Sequence, residues 1–216
     1  MTTTTPTSNL PVYDGKFGPF TINPEDRRDV RLYRAGLAIA GLSFFLATTL
    51  LLFLGANPDL LPFLSLFYTL FSLGLGLSLL KIHIYLAPLH RLLKLFWIIG
   101  TVASFIFAYA DSAPFALTLY YTPASLLGVG FTFAALTGIY FKEAFCFNRL
   151  ETKILTPLVP LLLLGHLVGL LPLNMERTLL GSWAALFVIF VVRKLVQPIP
   201  PDIGDKSVFE HLKQGL

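Results

Sequence analysis

The sequence predicts an all-α polytopic membrane bundle of about six spans with both termini in the cytoplasm or, in a plastid, the stroma. Three observations predict it. Six apolar stretches, Ala35–Leu54, Leu60–Leu80, Leu92–Ala110, Pro123–Phe141, Pro157–Leu173 and Met175–Val192, approach or reach the roughly 20 residues that cross a bilayer at 1.5 Å per residue. Apolar residues make up 55% of the chain and charged residues 13%, outside the range of a soluble domain. If the segments between the stretches alternate in compartment, fifteen of the 16 Lys and Arg fall on one side and only Arg177 on the other. The positive-inside rule makes the basic side cytoplasmic. With 216 residues, the chain divides into a cytoplasmic N-terminal tail (1–34), one membrane domain (35–192) and a cytoplasmic C-terminal tail (193–216).

The net charge of +4 comes from the basic flanks that set orientation and meet anionic headgroups, so it implies a lipid bilayer as partner and no nucleic acid. The single Cys146 excludes an internal disulfide and gives no metal cluster. The polar, Thr-rich start is no secretory signal, and the first span serves as the membrane signal.

Met1–Asn9 has nothing to bury and reads as disordered. Val12 to Phe17 reads as a short hairpin with a tight turn at Asp14-Gly15, which needs a surface to rest on. Tyr13, Phe17 and Phe20 are its candidate docking residues. Asn23-Pro24-Glu25-Asp26 reads as a capped helix start, continuing into the first span for about 31 residues or ~46 Å. Gly55–Asp59 is a tight outer turn. Lys81–Arg91 reads as an interfacial segment in which Pro88 blocks a regular helix. Asp111–Pro114 closes the third span, and Tyr120 and Tyr121 suit the outer aromatic belt. Thr122-Pro123 and Thr156-Pro157 read as helix starts, and Ser207–Glu210 has capping-box spacing. Small residues recur every fourth position (Gly100, Ser104, Ala108; Gly130, Ala134, Gly138; Gly165, Gly169), which lets helix backbones pack closely or a partner dock.

Chemistry is sparse. The spans carry no charged residue at mid-depth, which weakens ion-coupled transport, and no catalytic constellation is found, so the chain reads as non-enzymatic. His166 is the histidine expected deep in a span, flanked by Gly165 and Gly169. It is either a helix–helix hydrogen-bonding group or an axial ligand to a pigment, with chlorophyll, which needs one ligand, favoured over bis-histidine haem. The segment Phe141–Lys153 is either a surface-lying amphipathic connector or a docking face built from Lys142, Glu143, Phe145, Phe147 and Arg149. Ser65, Tyr68, Thr69, Ser72, Thr132 and Thr137 are either packing hydrogen bonds or an uncharged path for a small neutral or lipid-like solute. Glu143 and His90 are the inner-side groups that an enzymatic reading would need close together.

Val12–Phe20 and Phe141–Phe147, followed by Gly165-His166, resemble an uncharacterised integral-membrane family of cyanobacteria and plastids. The resemblance extends over most of the chain and carries no catalytic residue. It implies a thylakoid or plasma membrane in a photosynthetic host and, by association, an accessory or assembly role beside a photosystem.

Overall fold

The computed structural model describes residues 10–55, 57, 59–110 and 114–214. The expectations for Met1–Asn9, Ala56, Pro58 and Asp111–Ala113 lie outside the described residues. A hairpin of β1 (Val12–Gly15) and β2 (Gly18–Thr21) precedes α1 (Pro24–Leu54), α2 (Leu61–Lys81) and α3 (Ala87–Ala110). Next come the short α4 (Phe115–Tyr121), a single 3₁₀ turn (Pro123–Ser125), α5 (Leu126–Phe147), α6 (Leu150–Leu167) and α7 (Leu173–Val196). Two short helices, α8 (Pro200–Ile203) and α9 (Lys206–Gln214), end the chain. Among the described residues six helices are long and apolar enough to cross a membrane, so the six-span all-α bundle stands.

The six spans pack as a closed ring in chain order, α7 returning against α1. Both described ends of the chain lie at one end of this ring, here called the tail end; the loops α1–α2 and α6–α7 lie at the far end. Apolar side chains facing the bilayer gain nothing from water exclusion, so helices associate through close packing. The tightest approach is between α1 and α2, where a Cβ on Gly36 would stand 2.5 Å from the Gly74 carbonyl oxygen and one on Gly74 2.6 Å from that of Gly36. Of the small-residue stripes read from the sequence, Gly100 abuts Thr132 and Gly138 abuts Leu93, whereas a Cβ on Gly130 would meet open space. Helix α3 buries only Leu93, Gly100 and Ser104, and its remaining face is left to lipid.

Several local expectations are corrected. The hairpin turns at Lys16-Phe17, two residues later than expected, because Gly15 pairs with Gly18. Asn23 does cap α1: its side chain accepts from the Asp26 amide at 2.8 Å, while the Asp26 carboxylate accepts from the Asn23 amide at 2.9 Å. Pro88 lies in the first turn of α3, where a missing N–H costs nothing, and so starts a helix instead of blocking one. Thr156-Pro157 is no helix start: α6 begins at Leu150 and carries Pro157 and Pro160 inside it. Asp205, and not Ser207, caps α9, accepting from the Ser207 amide at 2.9 Å.

The two tails form one cap. Ile22, Val30 and Ile203 bury together with Tyr13 and Phe20 against them. The Lys16 amide donates to Asp205 at 2.7 Å, the Phe17 amide to Ser207 Oγ at 3.0 Å, and the Phe17 ring stacks on His211 at 3.9 Å. The surface that the hairpin needs is therefore this chain's own C-terminus. Tyr13 and Phe20 are spent on it, and Phe17 remains 48% exposed. Tyr85, in the α2–α3 loop, ties in by accepting from the Asp205 amide at 2.6 Å and by ring contact with Phe209.

His83 in the same loop has its pKa lowered, chiefly by burial, which disfavours the imidazolium; Lys142 and Lys206 act in the same sense and Asp26 and Asp29 oppose it. Below the ordinary histidine pKa, the unfolded chain then binds a proton that the folded chain refuses. Stability therefore falls as pH drops through about 6.5. We expect a lower melting temperature at pH 5.5 than at 7.5, and a smaller difference in His83→Gln.

Candidate functional site

Three layers follow one another along the axis of the ring, with an aromatic layer between an ionic network and a cavity. Phe44 of α1, Phe71 of α2, Phe133 of α5 and Trp183 of α7 converge with centroids 4.5 Å (Phe44–Trp183), 5.4 Å (Phe133–Trp183), 5.6 Å (Phe71–Phe133) and 5.9 Å (Phe44–Phe71) apart. Tilted and edge-on contacts of this kind add to the area that they bury. Tyr68 joins this layer against Phe133 and Phe115.

Towards the tail end lies a buried ionic network. Helix α5 runs on to Phe147 and turns at Asn148, which adopts the left-handed conformation (φ 53°) that asparagine tolerates. This continuation draws Lys142 and Glu143 inside the ring, and Glu143 is fully buried. Its carboxylate accepts from Lys194 Nζ at 2.6 Å, from Lys142 Nζ at 2.9 Å and from the Tyr33 hydroxyl at 3.0 Å. Lys194 also pairs with Asp202, and its ammonium stands 4.1 Å from the centre of the Phe147 ring. Arg34 gives Nε and Nη2 to Asp202 at 2.8 and 2.6 Å, and its remaining donors reach the carbonyls of Gln197 (2.6 Å) and Pro198 (2.9 Å). Arg193 meets Glu151 at 2.8 Å, and Arg149 holds the Gln197 side chain.

The expected docking face of Lys142, Glu143, Phe145, Phe147 and Arg149 is corrected accordingly. Lys142, Glu143 and Arg149 are turned inward on ion pairs and hydrogen bonds, and Phe147 is half-buried beneath three cations. Phe145 alone of the five is fully outside, 84% exposed. Arg34, Lys142, Glu143, Glu151 and Lys194 are buried within spanning helices near their tail ends, outside the mid-depth stretch that the sequence reading found free of charge. His90 bonds the Leu79 carbonyl at 2.6 Å, so the structure gives it and Glu143 different partners.

Towards the far end the helices line a half-open cavity of about 420 Å³. Its walls come from α1, α2, α4, α5, α6 and α7. Phe44, Phe67, Phe71, Phe115, Leu163 and Trp183 make it apolar, and α4, absent from the sequence reading, contributes Leu117 and Tyr121. Its histidine and charged groups, His166, Glu176 and Arg177, come from the last turn of α6 and the first turns of α7 at the far end, and hydroxyls of Ser43, Thr48, Tyr68, Tyr120 and Tyr121 also line it.

His166 lies in the last turn of α6, so the expectation that it sits deep in a span is corrected. Its Nδ1 is 2.7 Å from Glu176 Oε1 and its Nε2 3.3 Å from the Tyr120 carbonyl oxygen. Many metal-binding histidines donate one ring nitrogen to a carboxylate in this way. An axial bond to chlorophyll would have to take Nε2 from Tyr120.

The expected polar path is not continuous. Tyr68 bonds Ser104 at 2.6 Å and Thr132 at 3.1 Å, Ser72 bonds Thr101 at 3.1 Å, and Thr69 and Thr137 turn back onto the Ser65 and Phe133 carbonyls. These are bundle-packing hydrogen bonds.

A family model described as an uncharacterized integral membrane protein (DUF2301) matches residues 77–211, more than half of the chain. No curated protein matches, and no solved structure matches.

Proposed function

The chain belongs to the DUF2301 family of uncharacterized integral membrane proteins, and we propose that within the bilayer it holds one lipid-like amphiphile in the far-half cavity, as a non-enzymatic binding protein. The observation that carries this reading is the cavity itself. Ligand sites are mostly apolar concavities of about 300–1,000 Å³ with a few placed polar groups, and a volume of about 420 Å³ with polar side chains at its mouth is of that kind. The aromatic layer and the ionic network fill the axis beneath it. This favours binding, or exchange with the far side, over a channel for a small solute. The charge split supports a cytoplasmic tail end, and on that orientation the mouth faces the opposite compartment.

The test is retention. Protein purified in mild detergent should carry about one extractable amphiphile per chain. Ala47→Trp, which fills the cavity wall, should reduce the retained amount at least several-fold without lowering yield. Equal retention by both proteins contradicts the reading.

A second reading, an accessory or assembly subunit beside a larger membrane complex such as a photosystem, is favoured by one observation. Phe141 and Phe145 stand 53% and 84% exposed on one face of α5 at the tail end, where a neighbouring subunit could cover them. Co-purification of photosystem subunits in fixed ratio would support it; recovery of the free chain alone would not.

A further inference from the structure

We propose that the bound amphiphile is anionic: a single-chain molecule whose carboxylate or phosphate head sits on Arg177 at the mouth, while its chain runs down the cavity to Trp183. This rests on the cavity being a binding site, as proposed above. Arg177 carries it. Of the 16 Lys and Arg it is the one that the charge count places opposite the tails, where membrane orientation calls for no cation. A basic residue near the end of a span ordinarily snorkels outward to the lipid headgroups. Arg177 instead shares a face of α7 with Leu173, Leu180 and Trp183, and all four line the cavity. Among the described residues it has no ion pair and no hydrogen bond. The acid beside it is engaged elsewhere, with Glu176 Oε1 2.7 Å from His166 Nδ1.

A guanidinium presents a planar fork of donors that matches a carboxylate or a phosphate through two parallel hydrogen bonds. A neutral head would leave that fork unanswered, and a cationic head would be repelled by it. The His166 ring stands on the Glu176 carboxylate, the group that would otherwise repel an anion at the mouth. Among the described lining residues Arg177 is the one permanent cation, so the negative head stays at the mouth and the chain takes the apolar depth between Phe67, Phe115, Leu163 and Leu180. Trp183 lies six residues further along α7, about 9 Å deeper along its axis. It packs there against Phe44, with centroids 4.5 Å apart, at the floor. A volume of about 420 Å³ is near the lower end for ligand sites and suits one chain better than two.

Trp183 provides the readout, since bromine quenches indole fluorescence at close range. In the Trp97→Phe background Trp183 is the sole tryptophan. The probes are ω-bromododecanoate and ω-bromododecyl phosphate, each titrated into full-length protein in an uncharged detergent, with ω-bromododecanol as the neutral control. We expect saturable quenching by at least one anionic probe, the tighter of the two identifying the head. Arg177→Gln, with its melting temperature checked, should raise that midpoint roughly tenfold or more and leave the midpoint of the alcohol unchanged. The α-bromo isomer of dodecanoate, with its bromine beside the head, should quench little. An alcohol that binds as tightly as both anions, an unchanged anion midpoint in Arg177→Gln, or stronger quenching by the α-bromo isomer overturns the assignment. If neither anion saturates while Ala47→Trp still reduces the retained amphiphile, the anionic head falls and the cavity reading stands. If Ala47→Trp also changes nothing, both fall.

Discussion

Glu143→Ala is expected to cost about 3–5 kcal/mol, the usual consequence of leaving a buried charge without its partner. The carboxylate is the acceptor shared by Lys194, Lys142 and Tyr33, and the Lys194 and Glu143 side chains are 1% and 0% exposed. Its removal leaves two ammonium groups facing each other in a space already one positive charge in excess: Arg34, Lys142 and Lys194 against Glu143 and Asp202. The Phe147 ring eases this but cannot neutralise it. Thermal unfolding in detergent should show a melting temperature lower on the order of 10 °C. Adding Lys194→Met to Glu143→Gln should restore most of the loss, since an uncharged pair has no desolvation cost of this size. An alanine variant that melts with the wild type would mean that the network is hydrated and not buried.

Asp202→Ala is the second large effect and has a spatial signature. Asp202 receives Arg34 through two nitrogens and Lys194 through a third, and so ties α8 to α1 and α7. Arg34 keeps the carbonyls of Gln197 and Pro198, so the loss should sit near the lower end, about 3 kcal/mol. The cap should loosen before the spans do. Limited proteolysis is expected to cut α9 and the hairpin early in Asp202→Ala and late in Asp202→Asn, which retains a carbonyl acceptor. Simultaneous loss of cap and spans would show that they are one cooperative unit.

The architecture was legible because a span is a one-dimensional signal: apolar length, flanking charge and turn residues set it locally. Depth and pairing are not local. Lys142-Glu143 reads as the start of a polar loop, since nothing in its neighbours shows that α5 continues to Phe147 and turns at Asn148. Lys194 and Asp202 read as tail charges for the same reason. Arg34, the partner of Asp202, sits 168 residues away from it, a distance across which no spacing rule speaks. His166 stands out in the sequence, but its depth is not legible there, because α6 begins seven residues earlier than Pro157 suggests. Helix prolines are tolerated in membranes, which removes a start signal that is dependable in soluble chains. The cavity had no sequence signature. It depends on α4, a seven-residue helix hidden between the third and fourth spans, and on aromatic residues of four helices that meet only in the ring.

The proposed ligand cavity opens to the side opposite the termini and is closed beneath by the aromatic layer and the ionic network. Thiol accessibility tests it most directly. Thr48→Cys in a Cys146→Ser background places one cysteine in the cavity wall. A small membrane-impermeant thiosulfonate should modify it when applied to the side opposite the tails, should not do so from the tail side, and should react more slowly when an amphiphile is bound. Modification from the tail side, or none from either side, would show that no such far-side cavity exists.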